Sequence, residues 1–377
     1  MESGFREYRR TAARYGAFTA LCVAVLSIAG CGGGSSSANP SPVSFSFVYL
    51  GCNRIQAGDI TPDNPSTANL AQLERDFAEI PHLNPTPDMV FMVGDLVVGL
   101  TSDLATLQAQ LDAWVNVYLA SPLGQSPSIR LIAIPGNHES LVGKKGNQVS
   151  NPGAEQVWLS AMQPYVAGNN GPSAGGPDML QTDQSQLTYS FDFKNTHFDV
   201  VNTDPFGAVA TVPVHWLEGD LQAAADTPGI KHIFVLGHKP AFVPDIAESG
   251  EQSLNINPAN RDVFWDEMNL ARVDAYLTAH VHMWNFSRPR SVDMPRLRRT
   301  YQIIAGNGGS AVDPGWPTSG ENVYYGYTQV IVHEDRSAEI VDWGRDFDPT
   351  NYLADSPPDK FPTTVRKRRT ILCSRAN

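Results

Sequence analysis

Ala279-His280-Val281-His282 is the stretch on which the fold turns, and it closes an apolar run, Val273-Asp-Ala-Tyr-Leu-Thr278, that reads as a buried strand. Histidines at i and i+2 on a strand point to opposite faces. On the turn just past a strand end they can converge on one point. One His-x-His is a weak signal, but three upstream stretches repeat its layout. Gly94-Asp95 follows Asp88-Met-Val-Phe-Met-Val93, Gly136-Asn137-His138-Glu139 follows Leu131-Ile-Ala-Ile134, and Gly237-His238 follows His232-Ile-Phe-Val-Leu236. Each apolar run ends in glycine and then a residue type that binds metals; for His280 alone an alanine stands in that place. The repetition in order carries the argument.

Working outward, residues 44–50 alternate and then turn apolar, a first strand that ends in Gly51-Cys52-Asn53-Arg54. Ser66 is expected to cap a helix whose apolar positions are Leu70, Leu73, Phe77 and Ile80. Strands at 88–93 and 130–134 flank a second helix, starting near Ser102, with Leu104, Leu107, Leu111, Val115 and Tyr118 on one side. The order β-α-β-α-β implies a parallel sheet with right-handed crossovers. Ligands of such sheets gather beyond the carboxyl ends of the strands, where the four stretches lie. A helix is expected at 154–165, a hairpin from 187–193 and 197–202, and further helices around Trp216 to Leu221 and over 260–270. Strands at 301–305, 327–332 and 338–343 suggest a second sheet. Residues 144–186, rich in Gly, Asn, Pro and Gln, read as an insertion near the site mouth, a lid or a solvated loop. Residues 346–377, closing on Arg366-Lys-Arg-Arg369, read as a disordered basic tail.

The 377 residues carry a net charge of −12, or −14 without the first thirty, which hold four Arg and two Glu. An acidic body argues against a nucleic-acid partner. Arg6, Arg9, Arg10 and Arg14 precede an apolar run over 17–28 and then Ile28-Ala29-Gly30-Cys31. That layout is a secretory signal over 1–30, too short and one-sided to make a good spanning helix. Its last four residues resemble a bacterial lipobox, which implies cleavage before Cys31 and lipid on its thiol. The expected address is the bacterial cell envelope, the outer membrane in a Gram-negative source, with residues 31–43 as a Gly/Ser/Pro tether. Cys22 leaves with the signal, so Cys52 and Cys373 form no disulfide framework, and Cys52 needs its own explanation.

Asp, Asn and several His at strand-to-loop junctions suit two divalent cations that activate a water and clamp a displacement at phosphorus. A carboxylate is the natural bridge, because its two oxygens serve both ions, and neutral imidazoles suit iron, zinc or manganese. In series, Gly-Asp, Gly-Asn-His-Glu, Gly-His and Ala-His-x-His resemble the calcineurin-like metallophosphoesterases, with features of the purple acid phosphatase branch. The likeness spans about residues 44–343 and extends to Tyr189-Ser-Phe-Asp-Phe193, Trp216-Leu-Glu218, His238-Lys-Pro240 and Gly306-Asn-Gly-Gly309. It implies a four-layer α/β/β/α sandwich, two mixed β-sheets flanked by helices, in a domain over 44–345. By that resemblance Asp95 bridges two metals, and Asn137, His238 and His280 complete the shell of the second. His282 belongs to the first, and His138 protonates the leaving group or holds the phosphate. Glu139 has no partner evident in the sequence. His197, His215, His232 and His333 match no ligand position and are assigned to packing or surface.

The first stretch departs from the family pattern, which has Asp-x-His or Asp-x-Arg after strand one; here Cys52-Asn53-Arg54 stands instead. Three readings stay open. Cys52 binds metal as a thiolate, or the first metal is weak or absent and Arg54 holds the phosphoryl oxygens, or the site binds without turnover. Asp59 and Asp63 are nearby carboxylates that could replace the missing one. The expected function is hydrolysis of a phosphate mono- or diester by metal-activated water; the alternative is a surface lipoprotein of the same fold that binds phosphoryl ligands. Substrate choice is expected in the loops at 144–186 and 241–259.

Overall fold

Val43–Leu50 (β1) alternates two burial environments: Phe45, Phe47 and Tyr49 face the central core, whereas Val48 and Leu50 face the helices on the other side. The computed structural model describes residues 41–144, 146–243, 253–291, 293–312, 324–348 and 350–372. The signal, Cys31 and most of the tether lie outside the described residues, as does much of the 241–259 loop.

After β1 come α1 (Leu70–Glu79), β2 (Met89–Val93), α2 (Leu104–Ala120), β3 (Arg130–Ile134) and the single turn α3 (Asn137–Ser140). A small hairpin, β4 (Leu141–Val142) and β5 (Val149–Ser150), leads to α4 (Ala154–Met162). Then follow β6 (Tyr189–Phe193), β7 (Thr196–Val201), α5 (Val214–Asp226), β8 (His232–Gly237), α6 (Pro258–Ala271) and β9 (Ala275–Thr278). The chain ends with β10 (Trp284–Ser287), β11 (Tyr301–Ala305), β12 (Tyr325–His333), β13 (Ser337–Arg345) and β14 (Thr364–Leu372). Two six-stranded sheets result, ordered β14-β13-β12-β1-β2-β3 and β10-β11-β9-β8-β7-β6. Each mixes parallel and antiparallel pairs.

The inner faces of the two sheets meet in one core, where Phe47 stands edge-on to Phe91, Phe198 and Phe234 with centroids 5.3–5.5 Å apart. One outer face packs on α1, α2 and α4, the other on α5 and α6. This is the expected sandwich of two mixed sheets between helices. The parallel strands β1, β2 and β3 of one sheet and β7, β8 and β9 of the other deliver their carboxyl ends to one edge.

Three expectations are corrected. Ser66 does not cap α1: its hydroxyl donates to Asn64 in a preceding turn, and the helix begins three residues later, after Asn69. The tail is not disordered throughout, since β14 pairs antiparallel with β13. Its basic residues find partners along that edge: Arg366 reaches Asp346 and lies over Tyr324, Arg368 meets Glu339, and Arg369 lies over Phe286. Strands 327–332 and 338–343, expected in a second sheet, join the first as parts of β12 and β13, whereas the helix expected within 144–186 is present as α4, with Trp158 and Met162 in the core beside α2.

Candidate metal centre

Gly94 has φ +76°, and a Cβ there would come within 2.5 Å of His238 Nδ1 and 2.7 Å of the Gly136 nitrogen. A Cβ on Gly136 would fall 2.5 Å from Asp95 Oδ1. These glycines let three strand ends close on one another. Cys52, Asp95 and His280 take left-handed backbone at φ 58°, 56° and 63°, which costs each of them about 1–2 kcal/mol. Such a cost concentrated at three neighbouring residues marks a functional constraint.

Asp95 is buried, and its two oxygens face different partners. Oδ1 is 3.1 Å from His238 Nε2 and accepts from the His138 N–H at 3.1 Å, while Oδ2 is 3.9 Å from both His138 Nε2 and Arg54 Nε. His238 Nδ1 lies 2.7 Å from the Val93 carbonyl, which can only accept, so that nitrogen carries the proton. Nε2 of the neutral ring then points a lone pair at Asp95 Oδ1 and Asn137 Oδ1, both 3.1 Å away. Asn137 has its amide orientation set by donating Nδ2 to Gln148 Oε1. His280 Nδ1 stands 3.1 Å from the same His238 nitrogen, and His280 Nε2 is buried without a hydrogen-bond partner.

Acceptors meeting acceptors in a buried site require a cation or a proton between them. Burial works against charging His238, but Asp95 overrides it and raises His238 above the usual imidazole range. The donor set therefore fits a metal. Ligand atoms of Asp95, His238 and His280 lie within 4.8 Å of one another, and so do those of Cys52, Asp95 and His282. Asp95 belongs to both groups. His282 Nδ1 is held by the Ala311 carbonyl at 2.7 Å, which leaves Nε2 as its ligand atom. Cys52 is fully buried; burial first, and the Asp95 charge second, push its thiol up, with Arg54 opposing.

All eight site residues singled out in the folded part of the sequence, Cys52, Arg54, Asp95, Asn137, His138, His238, His280 and His282, thus lie around one point. Asp59 and Asp63 do not join them: Asp59 accepts from the Tyr352 hydroxyl at 2.6 Å, and Asp63 is exposed. Glu139 was the residue without an evident role. Its carboxylate accepts from the backbone N–H groups of Asp95 at 3.0 Å, Leu96 at 2.7 Å, Val97 at 3.2 Å and Gly136 at 2.8 Å. It ties the Asp95 loop to the Asn137 loop. Gln148, from the 144–186 segment, was likewise missed; only its contact with Asn137 reveals it.

Among solved structures the chain is similar to the purple acid phosphatase PPD1 from yellow lupin (Lupinus luteus) seeds, at 16% identity and TM-score 0.55. That match covers 87% of this chain and 53% of the lupin protein, so the chain spans about half its length. PhoD matches with TM-score 0.58 and 14% identity, covering 89% of this chain and 71% of PhoD. GAP50, described as the anchor in the inner membrane complex of Plasmodium, matches at TM-score 0.52 and 12% identity, over 88% and 89% of the two chains. These likenesses establish the fold. No curated protein matches by sequence. The family model of the calcineurin-like phosphoesterases matches residues 55–284, starting just after Cys52-Asn53-Arg54 and taking in more than half of the chain; the chain belongs to that family.

Proposed function

We propose that the chain hydrolyses phosphate mono- or diesters at a two-metal centre in which Asp95 is shared. The observation that carries this reading is that Asp95 belongs to both ligand groups, one with His238 and His280 and one with Cys52 and His282. Asn137 completes the first group and Cys52 takes the place of the family's carboxylate in the second. Zinc, iron and manganese all suit the nitrogen and oxygen donors, and a thiolate at Cys52 favours zinc or iron. When bound, the metals supply Lewis acidity and a water of lowered pKa.

The protein's own groups orient the ester. Arg54, 16% exposed and 3.9 Å from Asp95, presents a guanidinium for the phosphoryl oxygens. His138 donates Nδ1–H to the Val98 carbonyl at 2.5 Å, which aims Nε2 at the centre. Burial, then Arg54, push His138 down to about 3, so it is neutral in the free protein. It becomes a proton donor to the leaving oxygen only when a phosphoryl anion beside it raises its basicity. Export and anchoring through lipid on Cys31 belong to the same proposal and rest on the N-terminal pattern alone.

Elemental analysis of the reduced, metal-loaded full chain tests the centre. Asp95→Asn should lose two ions, and Cys52→Ala and His282→Ala one each. An unchanged count in Asp95→Asn contradicts the shared ligand. A Cys52→Ala chain that keeps its full count removes Cys52 from the ligands, and a wild-type centre that holds one ion leaves Arg54 to take the place of the second metal beside the phosphoryl group. The second reading, a phosphoryl-ligand receptor without turnover, is favoured by the buried, protonated thiol at Cys52 and gains from a neighbour of the same fold described as an anchor. Its mark is tight binding of a phosphate ester that is never hydrolysed.

A further inference from the structure

Asp199 on β7 is fully buried, and neither of its carboxylate oxygens has a hydrogen-bond partner. An ionised carboxylate is not left so without cost. His197, two residues earlier, lies on the same outward face of β7, the face that α5 covers. Its Nδ1 is 2.7 Å from Asp192 Oδ1, on the directly paired residue of β6. Its Nε2 is 2.8 Å from Asp220 Oδ2 of α5 and 3.5 Å from Asp199 Oδ2. Ligand atoms of His197, Asp199 and Asp220 all fall within 4.8 Å of one another.

The 3.5 Å spacing is that of two ligands around a small cation, and the 2.8 Å one would have to open by about half an ångström to admit it. Bonds of 2.0–2.2 Å in a tetrahedron set the ligands about 3.3–3.6 Å apart. A carboxylate on the far nitrogen, as Asp192 is, fixes the tautomer and ring orientation of a metal-bound imidazole. We propose that His197, Asp199 and Asp220 form a separate binding site for a divalent cation of the zinc class, with Asp192 orienting His197. In register, His197 stands beside Ile233, five residues before His238, so the site lies about 16 Å along the strands from the Asp95 centre. There a cation clamps α5, the crossover between β7 and β8, to the sheet. Its role is to hold the fold rather than to react.

Without the cation the same space is filled by protons. Burial pushes Asp199 up to about 7. For His197 burial acts downward, but the neighbouring carboxylates of Asp199, Asp220 and Asp192 prevail and lift it to about 10. The competing occupant is thus a proton on Nε2, and the test has to separate it from a metal. The full chain is loaded with zinc, desalted and analysed for zinc per chain as wild type and as Asp220→Asn. The variant should hold one ion fewer, whatever number the Asp95 centre binds; equal counts overturn the site and leave the proton as its occupant. Asp192→Asn, at a residue half exposed to solvent, guards against a folding defect in Asp220→Asn. It should weaken retention of that one ion about 10–100-fold, read by competition with a zinc chelator. Unchanged retention contradicts the orienting role and the site with it.

Discussion

Glu139 holds four backbone N–H groups with one carboxylate and so fixes Asp95 and Asn137 relative to each other. Burial, then the charge of Asp95, push it up to about 7, with the N–H of Val97 among the groups that oppose this. Glu139→Gln keeps the shape but turns an NH2 group toward those donors. It should cost about 1–3 kcal/mol of stability, the penalty of leaving buried donors unmatched, and lower hydrolysis as the loops drift. Urea unfolding and steady-state kinetics check both; wild-type values for both would show that the loops are held otherwise. The candidate ligand types were legible in sequence because each stretch follows an apolar run closed by a glycine, or by Ala279 before His280. Glu139 was not, since its partners are main-chain groups that carry no residue signature. Cys52 was legible as a departure, but only folding places its thiol with Asp95 and His282.

Among the elements, α1 is fastened to β13 by Arg345, which is fully buried. Its guanidinium reaches Asp76 Oδ1 at 2.5 Å, Gln72 Oε1 at 2.8 Å and the Gln72 carbonyl at 3.0 Å. Removing one partner of such a pair strands a buried charge. Asp76→Ala should therefore cost about 3–5 kcal/mol, whereas replacing both partners with apolar side chains should recover most of it. Equilibrium urea unfolding measures the pair, and a loss under about 1 kcal/mol for Asp76→Ala would contradict it. Strands and helices with clear periodicity were legible: Arg130–Ile134 and Tyr301–Ala305 fall where the apolar runs put them. Trp284–Ser287 was not, because four residues of mixed polarity give no alternation to read. β14 was misread because a run of Arg and Lys has the composition of a disordered arm. On the edge of a sheet the same charges discourage further strand pairing.

For the whole molecule, β14 shields β13, whose nine residues would otherwise offer an open ladder. Deleting residues 364–377 should promote self-association, visible by light scattering beside the full chain; an unchanged scattering profile would show that β13 needs no cover. The two sheets act as one device, since the carboxyl ends of their parallel strands bring candidate ligands to the same point. β1, β2 and β3 deliver Cys52, Asp95 and Asn137, while β8 and β9 deliver His238, His280 and His282. Neither sheet alone holds either ligand group. Hydrolysis of an aryl phosphate monoester and diester by the metal-loaded wild type and Asp95→Asn tests this assembly most directly. Turnover by the wild type should fall more than about a hundredfold in the variant, the least that losing one transition-state contact costs. Equal turnover by the two proteins would contradict the shared carboxylate, and a wild type that binds both esters without hydrolysing either would contradict the enzyme.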